Sequence, residues 1–597
     1  MEALTGLDAS FLYLETPRAH MHVGGLAVID GSLQFDEFRT RILSRIHQIP
    51  KLRQRLIEVP MSIDYPYWVD DPNFNIDNHL IHVRLPEPGN WRELRKLTSQ
   101  MFSRPLDRIR PLWEFVFVEG LDNIPQVEPG SVAVISKIHH SAIDGQAGAG
   151  IMAILFDFGP KVKPDPEPKP FKPEPLPSDI QLVTESTKNF FSDPLKFPKI
   201  IAESAASTLR AGVLSRVQNV EMPTVPFSAP PSPLNGIISP QRKWNTAILS
   251  LERVKKLKNI MGTTLNDVML AICSSALRRY LLEKGKLPNR SLVSMVPIST
   301  RAKGKQSTGN EIANMLVQLA TNIEDPVERL ETIHANTIRG KVYQNAVGAN
   351  SLSNMAELVP FGVANQATRL YSRYQIAKIH NPIYNVVITN VPGPPIPLYL
   401  AGHKLQSMMG MAPITDGMGL IITIFSYDGQ LTVSPTSDEK TMPDLDLFTR
   451  YIWESANELE EAILQLEEVR KAAEEAKPKT AKSDAIFEYL GQYLSDNPDY
   501  LHSEAGKFQY KITGDIKSDW IMDLDQSPGS VERGVIDDPD ATLTIRDEHF
   551  MRLARREIDY EIAITQGRMK IDGDMDKILK LGGVITGIPI PPEAYAS

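Results

Sequence analysis

The residues best able to do chemistry lie between positions 138 and 145, in the order Ile-His-His-Ser-Ala-Ile-Asp-Gly. A histidine with a pKa of about 6.5 can take a proton from an alcohol or amine at neutral pH and pass it to a leaving group. Asp144 is close enough along the chain to orient an imidazole or lock the turn, and Gly145 permits a backbone angle that other residues resist. The segment therefore predicts an acid–base site at His139 and His140.

The flanking sequence indicates how these histidines are positioned. Residues 131–135 are mostly apolar and β-branched, which favours a buried strand, and the small residues of 146–155 favour a closely packed helix. The histidines then fall at a strand-to-helix junction. Because successive strand side chains point to opposite faces, we expect one histidine to do the chemistry and the other to support it.

Two simpler interpretations compete with this one. Adjacent histidines could form half of a metal site, but the chain has no His-Glu-x-x-His or Cys-x-x-Cys partner, so no metal site is predicted. They could also be ordinary buried histidines. Spacing alone leaves that second alternative open.

The composition narrows the class of protein. The 597 residues are 42% hydrophobic and 23% charged, which suits three or four domains. A formal net charge of −9 argues against a nucleic-acid partner. The one cysteine, Cys273, excludes an internal disulfide and fits a reducing compartment. The start has no signal-peptide pattern, and no apolar run approaches the roughly 20 residues of a spanning helix. These features predict a cytoplasmic protein that meets membranes only from the side.

Several segments resemble one known family. His-His-x-x-x-Asp-Gly is the signature of the coenzyme A-dependent acyltransferase superfamily, and the chain is similar to its bacterial wax ester synthase/diacylglycerol acyltransferase branch. The supporting segments are Leu4 to Glu15, Met21 to Gly25, Pro111-Leu112-Trp113, Asn266-Asp267 and Asn385 to Pro394.

The C-terminal part resembles a different family. Apolar residues alternate with polar ones at Phe508, Tyr510 and Ile512 and again around Trp520, which predicts two strands. With the segment 567–574, this pattern is similar to the sterol carrier protein family. That resemblance implies a small domain enclosing an apolar tunnel for acyl chains or sterols.

Together the resemblances imply an α/β (α+β) chain with two chloramphenicol-acetyltransferase-like lobes of mixed sheet flanked by helices, plus a small α+β sterol-carrier-like domain. We predict an N-terminal acyltransferase lobe at 1–160, a proline-rich and helical connector at 161–240, a C-terminal acyltransferase lobe at 241–476, a linker at 477–482 and the lipid-binding domain at 483–597.

The resemblance further implies transfer of a long-chain acyl group from acyl-CoA, as co-substrate and with no other cofactor, to a fatty alcohol or diacylglycerol. His140 would be the general base, with His139, Asp144 and Gly145 in support. No Gly-x-Ser-x-Gly motif occurs, which agrees with direct transfer of the acyl group to the acceptor, with histidine as the base and no nucleophilic serine. Residues expected to contribute to active-site geometry are Asn266, Asp267, Pro111, Trp113 and Asn390.

Simpler roles exist for some of these residues. Asp267 stands three residues after Thr264, the spacing of a helix capping box, and Trp113 would suit any core.

Two other functions stay open: a lipid-binding or transfer protein with an inactive transferase fold, and a condensation-type enzyme using a carrier-protein thioester. Basic residues of the second half, such as Lys255 and Lys256, could meet coenzyme A phosphates or anionic lipid at a membrane or lipid droplet.

Overall fold

The structure is a computed structural model. It describes residues 1–31, 33–143, 151–152, 155–162, 171–192, 227–299, 312–347, 370, 380–476, 481–500, 506–578, 581–582 and 588–591. Asp144 and Gly145 lie outside the described residues, as do most of the predicted helix at 146–155 and most of the connector. The chain divides into two compact units, Met1–Glu467 and Glu468–Ser597.

Among the described residues the secondary structure is mixed. The α-helices are α1 Gly6–Leu14, α2 Phe35–Arg45, α3 Trp91–Phe102, α4 Asp179–Ser192, α5 Leu251–Met261, α6 Leu265–Glu283, α7 Pro326–Val347, α8 Leu445–Ala476, α9 Asp484–Asp496, α10 Asp547–Ala554 and α11 Tyr560–Thr565. The strands of the first unit are β1 Glu2–Ala3, β2 His22–Ile29, β3 Gln54–Ile57, β4 Tyr67–Asp70, β5 Leu80–Arg84, β6 Trp113–Glu119, β7 Val132–His139, β8 Arg242–Trp244, β9 Ala247–Ser250, β10 Val293–Ser299, β11 Ile312–Gln318, β12 Val386–Pro392, β13 Tyr399–Leu400, β14 His403–Met411, β15 Leu420–Tyr427 and β16 Gln430–Asp438. Those of the second unit are β17 Lys507–Thr513, β18 Ser518–Asp523, β19 Ser530–Arg533, β20 Ala541–Arg546 and β21 Met569–Gly573.

Two large mixed sheets form the frame of the first unit. The first sheet has the order β13-β14-β2-β7-β6-β5, and only β5 and β6 are parallel neighbours. The second sheet has the order β11-β10-β12-β15-β16-β8, with β9 also paired to β16. A small sheet, β1-β4-β3, stands beside them. This mixed α/β architecture confirms the predicted fold class.

Strand β14 joins the two halves of the sequence. Its residues come from the second half, yet it pairs antiparallel with β2 in the first sheet. Hydroxyl groups of the second sheet also donate to its carbonyls: Thr423 Oγ1 lies 2.9 Å from Gly410 O, and Thr432 Oγ1 lies 2.8 Å from Met408 O. The range 241–476, predicted as one lobe, thus contributes a strand to the sheet of the other lobe. The domain ranges themselves stay a prediction.

Glycine permits the close pairing of β2 with β7. Gly24 lies opposite Lys137, and a Cβ atom at Gly24 would stand 1.9 Å from the carbonyl oxygen of Ser136. A side chain there would push the strands apart.

One element differs from its sequence pattern. The apolar spacing of 35–55 is that of one helix packed on a core, but α2 ends at Arg45, and Ile46–Gln48 and Pro50–Arg53 form short 3₁₀ turns. Proline disfavours helical backbone angles at the residue before it, and Ile49 is extended. Ile46 and Ile49 are still buried.

The second unit has its own core. Its sheet has the order β19-β18-β17-β20-β21, in which β17 and β20 are parallel. The ring of Phe487 from α9 stacks on Trp520 and Phe550, with centroids 5.2 and 4.6 Å apart. The buried carboxylate of Asp484 accepts a 2.9 Å hydrogen bond from Trp520 Nε1. The two strands predicted around Phe508 and Trp520 are both present.

In the described part of the chain, no single helix combines the length and apolar character needed to cross a membrane. Helices α5 and α6 meet that requirement only when taken together, and they are bent by 103°.

Candidate active site

The two histidines lie where β7 ends. His139 is the last residue of β7, opposite His22 of β2, and His140 begins a 3₁₀ turn that runs to Ala142. Two backbone hydrogen bonds hold the turn to the residues that precede β2 and β6. His140 N–H donates to Met21 O at 2.8 Å, and His139 N–H donates to Leu112 O at 2.9 Å. The predicted strand is therefore present and continues to His139.

The two side chains have different surroundings. His139 is 1% exposed, whereas His140 is only partly buried. The imidazole of His140 stacks on Phe11 of α1, with ring centroids 3.8 Å apart and 14° between the planes. Its Nδ1 is buried and has no hydrogen-bond partner among the described residues. Burial lowers the pKa of His140 to about 4, so the ring is neutral at pH 7 and able to accept a proton.

His139 is held as one tautomer. The backbone N–H of Ser141 points at His139 Nδ1 from 3.2 Å, and Ser141 Oγ lies 2.7 Å from the same nitrogen. A nitrogen that accepts from an N–H group cannot carry a proton itself, so the neutral ring carries its proton on Nε2. Burial lowers the pKa of His139, although Glu15 opposes that effect.

Glu15 stands at the end of α1, beside the histidines. Its Oε2 is 3.7 Å from His139 Nε2 and accepts a 3.0 Å hydrogen bond from Arg108 Nε. Its Oε1 accepts from Met21 N–H at 3.3 Å. Burial alone would raise the pKa of Glu15, but His139 and Arg108 together hold it at about 2. The carboxylate is consequently charged at neutral pH.

Ser141, His139 and Glu15 are arranged in the order of a hydrolase triad, but Ser141 is too deeply buried to act as the nucleophile. Ser141 is 4% exposed, and both its hydroxyl and its backbone N–H are directed at the same ring nitrogen. A nucleophile must reach its substrate. These three residues form a support beneath His140.

A buried polar layer extends below the motif. Lys137 is 2% exposed, lies 3.1 Å from Glu114 Oε1 and donates to the carbonyls of Met101 and Arg104 at 3.2 and 3.3 Å. His22 Nε2 lies 2.8 Å from Phe102 O. His22 begins the interior strand β2 and is 1% exposed.

The Pro-Leu-Trp segment lies directly beside β7. Trp113 is paired with Ile138 in the sheet and stacks on His79, with ring centroids 4.5 Å apart. Its Nε1 donates to Leu52 O at 2.8 Å. Pro111 is buried, and its carbonyl accepts from Trp113 N–H. Both residues support the strand that carries the histidines.

The other predicted geometry residues lie in the second sheet's lobe. Asp267 is fully buried and forms a capping box with Thr264; it also lies 2.7 Å from His334 Nδ1 and accepts a 2.7 Å hydrogen bond from Thr337. It therefore joins α6 to α7. Asn266 is half-buried in the first turn of α6, and Asn390 is half-buried in β12.

Glu15 and Phe11 were not predicted as site residues. They are four residues apart, the spacing that places two side chains on one side of a helix end, and they contact the two histidines. That spacing was visible in the sequence, but nothing in it indicated which residues the helix would contact.

A search of the described residues finds no group of three His, Cys, Asp or Glu side chains that could hold a metal ion. Cys273 is buried in α6, and burial raises the pKa of its thiol to about 12. Such a thiol does not serve as a thiolate nucleophile.

Comparison with known proteins places this site in a family. Residues 4–269 match the wax ester synthase/diacylglycerol acyltransferase catalytic domain, residues 308–460 match the C-terminal domain of the same family, and residues 487–586 match the SCP-2 sterol transfer family. These matches confirm both predicted resemblances.

Two mycobacterial proteins named as diacylglycerol O-acyltransferases are similar over most of their length. One from Mycobacterium tuberculosis H37Rv is 33% identical over 471 residues, which cover 78% of this chain and 90% of that protein. One from Mycobacterium bovis AF2122/97 is 31% identical, covering 78% and 100%. The solved wax ester synthase/diacylglycerol acyltransferase from Marinobacter aquaeolei VT8 is 26% identical, with a TM-score of 0.56 over 78% of this chain and all of that one. The chain is therefore an acyltransferase of the wax ester synthase/diacylglycerol acyltransferase family that also carries an SCP-2 segment.

Proposed function

We propose that this enzyme transfers a long-chain acyl group from acyl-CoA to the hydroxyl group of a diacylglycerol or a fatty alcohol, with His140 as general base. The observation that carries the assignment of His140 is the difference between the two histidines. His139 is 1% exposed and accepts the Ser141 N–H group on Nδ1, whereas His140 is partly exposed and its ring is neutral at pH 7. A base needs a free lone pair and access to its substrate.

The reaction follows from these groups. The imidazole of His140 removes the hydroxyl proton as the alcohol oxygen attacks the thioester carbon. The tetrahedral intermediate then collapses, the carbon–sulfur bond breaks, and the departing thiolate takes the proton from His140. Nδ1 is buried, so Nε2 is the nitrogen that meets the hydroxyl group. The donors to the oxyanion stay a prediction, with Asn266 as the candidate.

The test is acyl transfer from palmitoyl-CoA to hexadecanol and to dioleoylglycerol. We expect His140→Ala to fold and to lose ester formation by orders of magnitude. His82→Ala is the matched control, because His82 lies in the same lobe, stacks on Phe35 and is exposed. Unaltered turnover in His140→Ala would refute the assignment. Activity with carrier-bound acyl thioesters and none with palmitoyl-CoA would favour the condensation-type alternative.

We propose that the second unit binds acyl chains and raises their concentration near the first. The SCP-2 match and the apolar interior around Phe487 support this role. A chain truncated after Lys477 should lose activity on dispersed dioleoylglycerol and change its lipid preference. Full activity with unchanged preference would contradict the proposal.

We also propose that the enzyme is cytoplasmic and works at the surface of a membrane or lipid droplet, with no cofactor besides the acyl-CoA co-substrate. Exposed Lys255 and Lys256 on α5, and the strongly exposed side chains of Met61 and Ile180, are consistent with such contact. Flotation with vesicles that contain anionic phospholipid would test it. Recovery of all the protein in the lipid-free fraction would count against it.

A further inference from the structure

We infer that Glu15 is a positioning residue for the acyl transfer. Its carboxylate contacts two residues, Met21 and His139, that in turn hold the backbone at His140 and at the residue after it. This inference rests on the proposed role of His140 as the base. Among the described residues, Glu15 has no hydrogen bond or ion pair with the imidazole of His140; its contacts are with Met21, His20, Arg108 and His139. Its effect must therefore pass through other residues.

The first route runs through β2. Glu15 Oε1 accepts from Met21 N–H at 3.3 Å, and the carbonyl of the same residue accepts from His140 N–H at 2.8 Å. Met21 is 2% exposed, so water does not compete for this link. A shift of the carboxylate would move the backbone of Met21, whose carbonyl holds the N–H group of His140.

The second route runs through His139. Glu15 Oε2 faces the protonated Nε2 of His139 at 3.7 Å, while Nδ1 of the same ring receives the backbone N–H of Ser141 at 3.2 Å. The ring thus transmits the position of Glu15 to the residue after His140. Loss of the negative charge would weaken the preference for a proton on Nε2, and a proton on Nδ1 would oppose the Ser141 N–H group.

Arg108 fixes the carboxylate itself. Its Nε donates to Glu15 Oε2 at 3.0 Å, and its terminal nitrogen donates to Leu12 O in the last turn of α1 at 3.1 Å. The same helix supplies Phe11, whose ring stacks on His140. Helix α1 and Glu15 at its end therefore position His140 in two ways: Phe11 stacks on its imidazole ring, and Glu15 fixes the residues that hold its backbone.

The test compares Glu15→Gln with the wild-type enzyme. The substitution keeps the length of the side chain and removes its charge. We expect kcat to fall about tenfold to a hundredfold, the loss typical of a misplaced catalytic group, with KM for palmitoyl-CoA within about twofold. Glu460→Gln is the matched control, because Glu460 also pairs with a partly exposed arginine, Arg253, but far along the chain from the motif. It should leave kcat unchanged.

A double-mutant cycle separates positioning from general destabilisation. If Glu15 acts through His139 in part, Glu15→Gln should cost less in a His139→Ala background than it does in the wild type. Glu15→Asp keeps the charge and should retain more kcat than Glu15→Gln, which keeps the test decisive if the Gln variant folds poorly. Undiminished kcat in a folded Glu15→Gln variant, or fully multiplicative losses in the double variant, would overturn the inference. Retained activity in His140→Ala would instead overturn the proposed base, whatever the Glu15 variants do.

Discussion

The low pKa of His140 predicts an unusual pH dependence for the reaction. A pKa of about 4 in place of 6.5 corresponds to about 3 kcal/mol against the imidazolium form. We therefore expect kcat/KM for palmitoyl-CoA to stay level from about pH 8 down to about pH 5 and to fall tenfold per pH unit below about pH 4. An ordinary histidine base would lose rate from about pH 6.5 downward.

The stacked ring of Phe11 provides the perturbation. Phe11→Ala admits water to one face of the imidazole and should raise the pKa of His140. If that face accounts for half of the 3 kcal/mol, the acid limb rises by about one pH unit, and the rate at pH 5 relative to the plateau falls about twofold. Phe35→Ala is the matched control, since Phe35 stacks on His82 in the same lobe with ring centroids 4.5 Å apart.

The assay must separate titration from unfolding. The unfolded chain binds this proton near pH 6.5 and the folded chain only near pH 4, so stability also falls as pH decreases across that interval. Ester formation from labelled palmitoyl-CoA is measured at each pH, and activity is measured again after return to pH 7. An acid limb near pH 6.5 in the wild type would refute the reasoning. So would a limb that moves to lower pH in Phe11→Ala, because that direction would mean that the aromatic ring stabilises the imidazolium.

Two further predictions separate structural residues from the base. Asp267→Ala removes the capping box and the bonds to His334 and Thr337. In urea titrations it should lower the free energy of unfolding by about 3 kcal/mol, and it should not move the acid limb of kcat/KM. A loss of kcat at unchanged stability would contradict the structural role. Trp113→Phe leaves the buried carbonyl of Leu52 without its donor and should cost about 1–3 kcal/mol, while the folded fraction keeps its kcat; a lowered kcat in fully folded protein would assign Trp113 a part in the chemistry.

The sequence predicted the local elements of the site well. The strand before the histidines, the different surroundings of His139 and His140, and the capping box at Asp267 all follow from periodicity and spacing within a few residues. The break at Ile49 could also have been predicted, because Pro50 restricts the backbone of Ile49, but the apolar spacing continues through 49 and indicates a longer helix.

Contacts between distant segments could not be predicted in the same way. Glu15 meets Arg108 and His139, residues that follow it by about a hundred positions, and only the paired strands bring them together. Whether a strand lies inside a sheet or at its edge likewise depends on which other strands pair with it. Here β14, from the far end of the unit, covers β2.

The late position of β14 in the sequence has a consequence for biosynthesis. A ribosome that has just completed β2 must add the residues up to 403 before the partner strand exists, which takes about 20–75 s at ordinary elongation rates. Throughout that time the nascent chain presents an open row of amide and carbonyl groups, a hazard for aggregation that chaperones commonly shield. The two halves expressed as separate polypeptides should accordingly be poorly soluble alone and recover only when they are produced together.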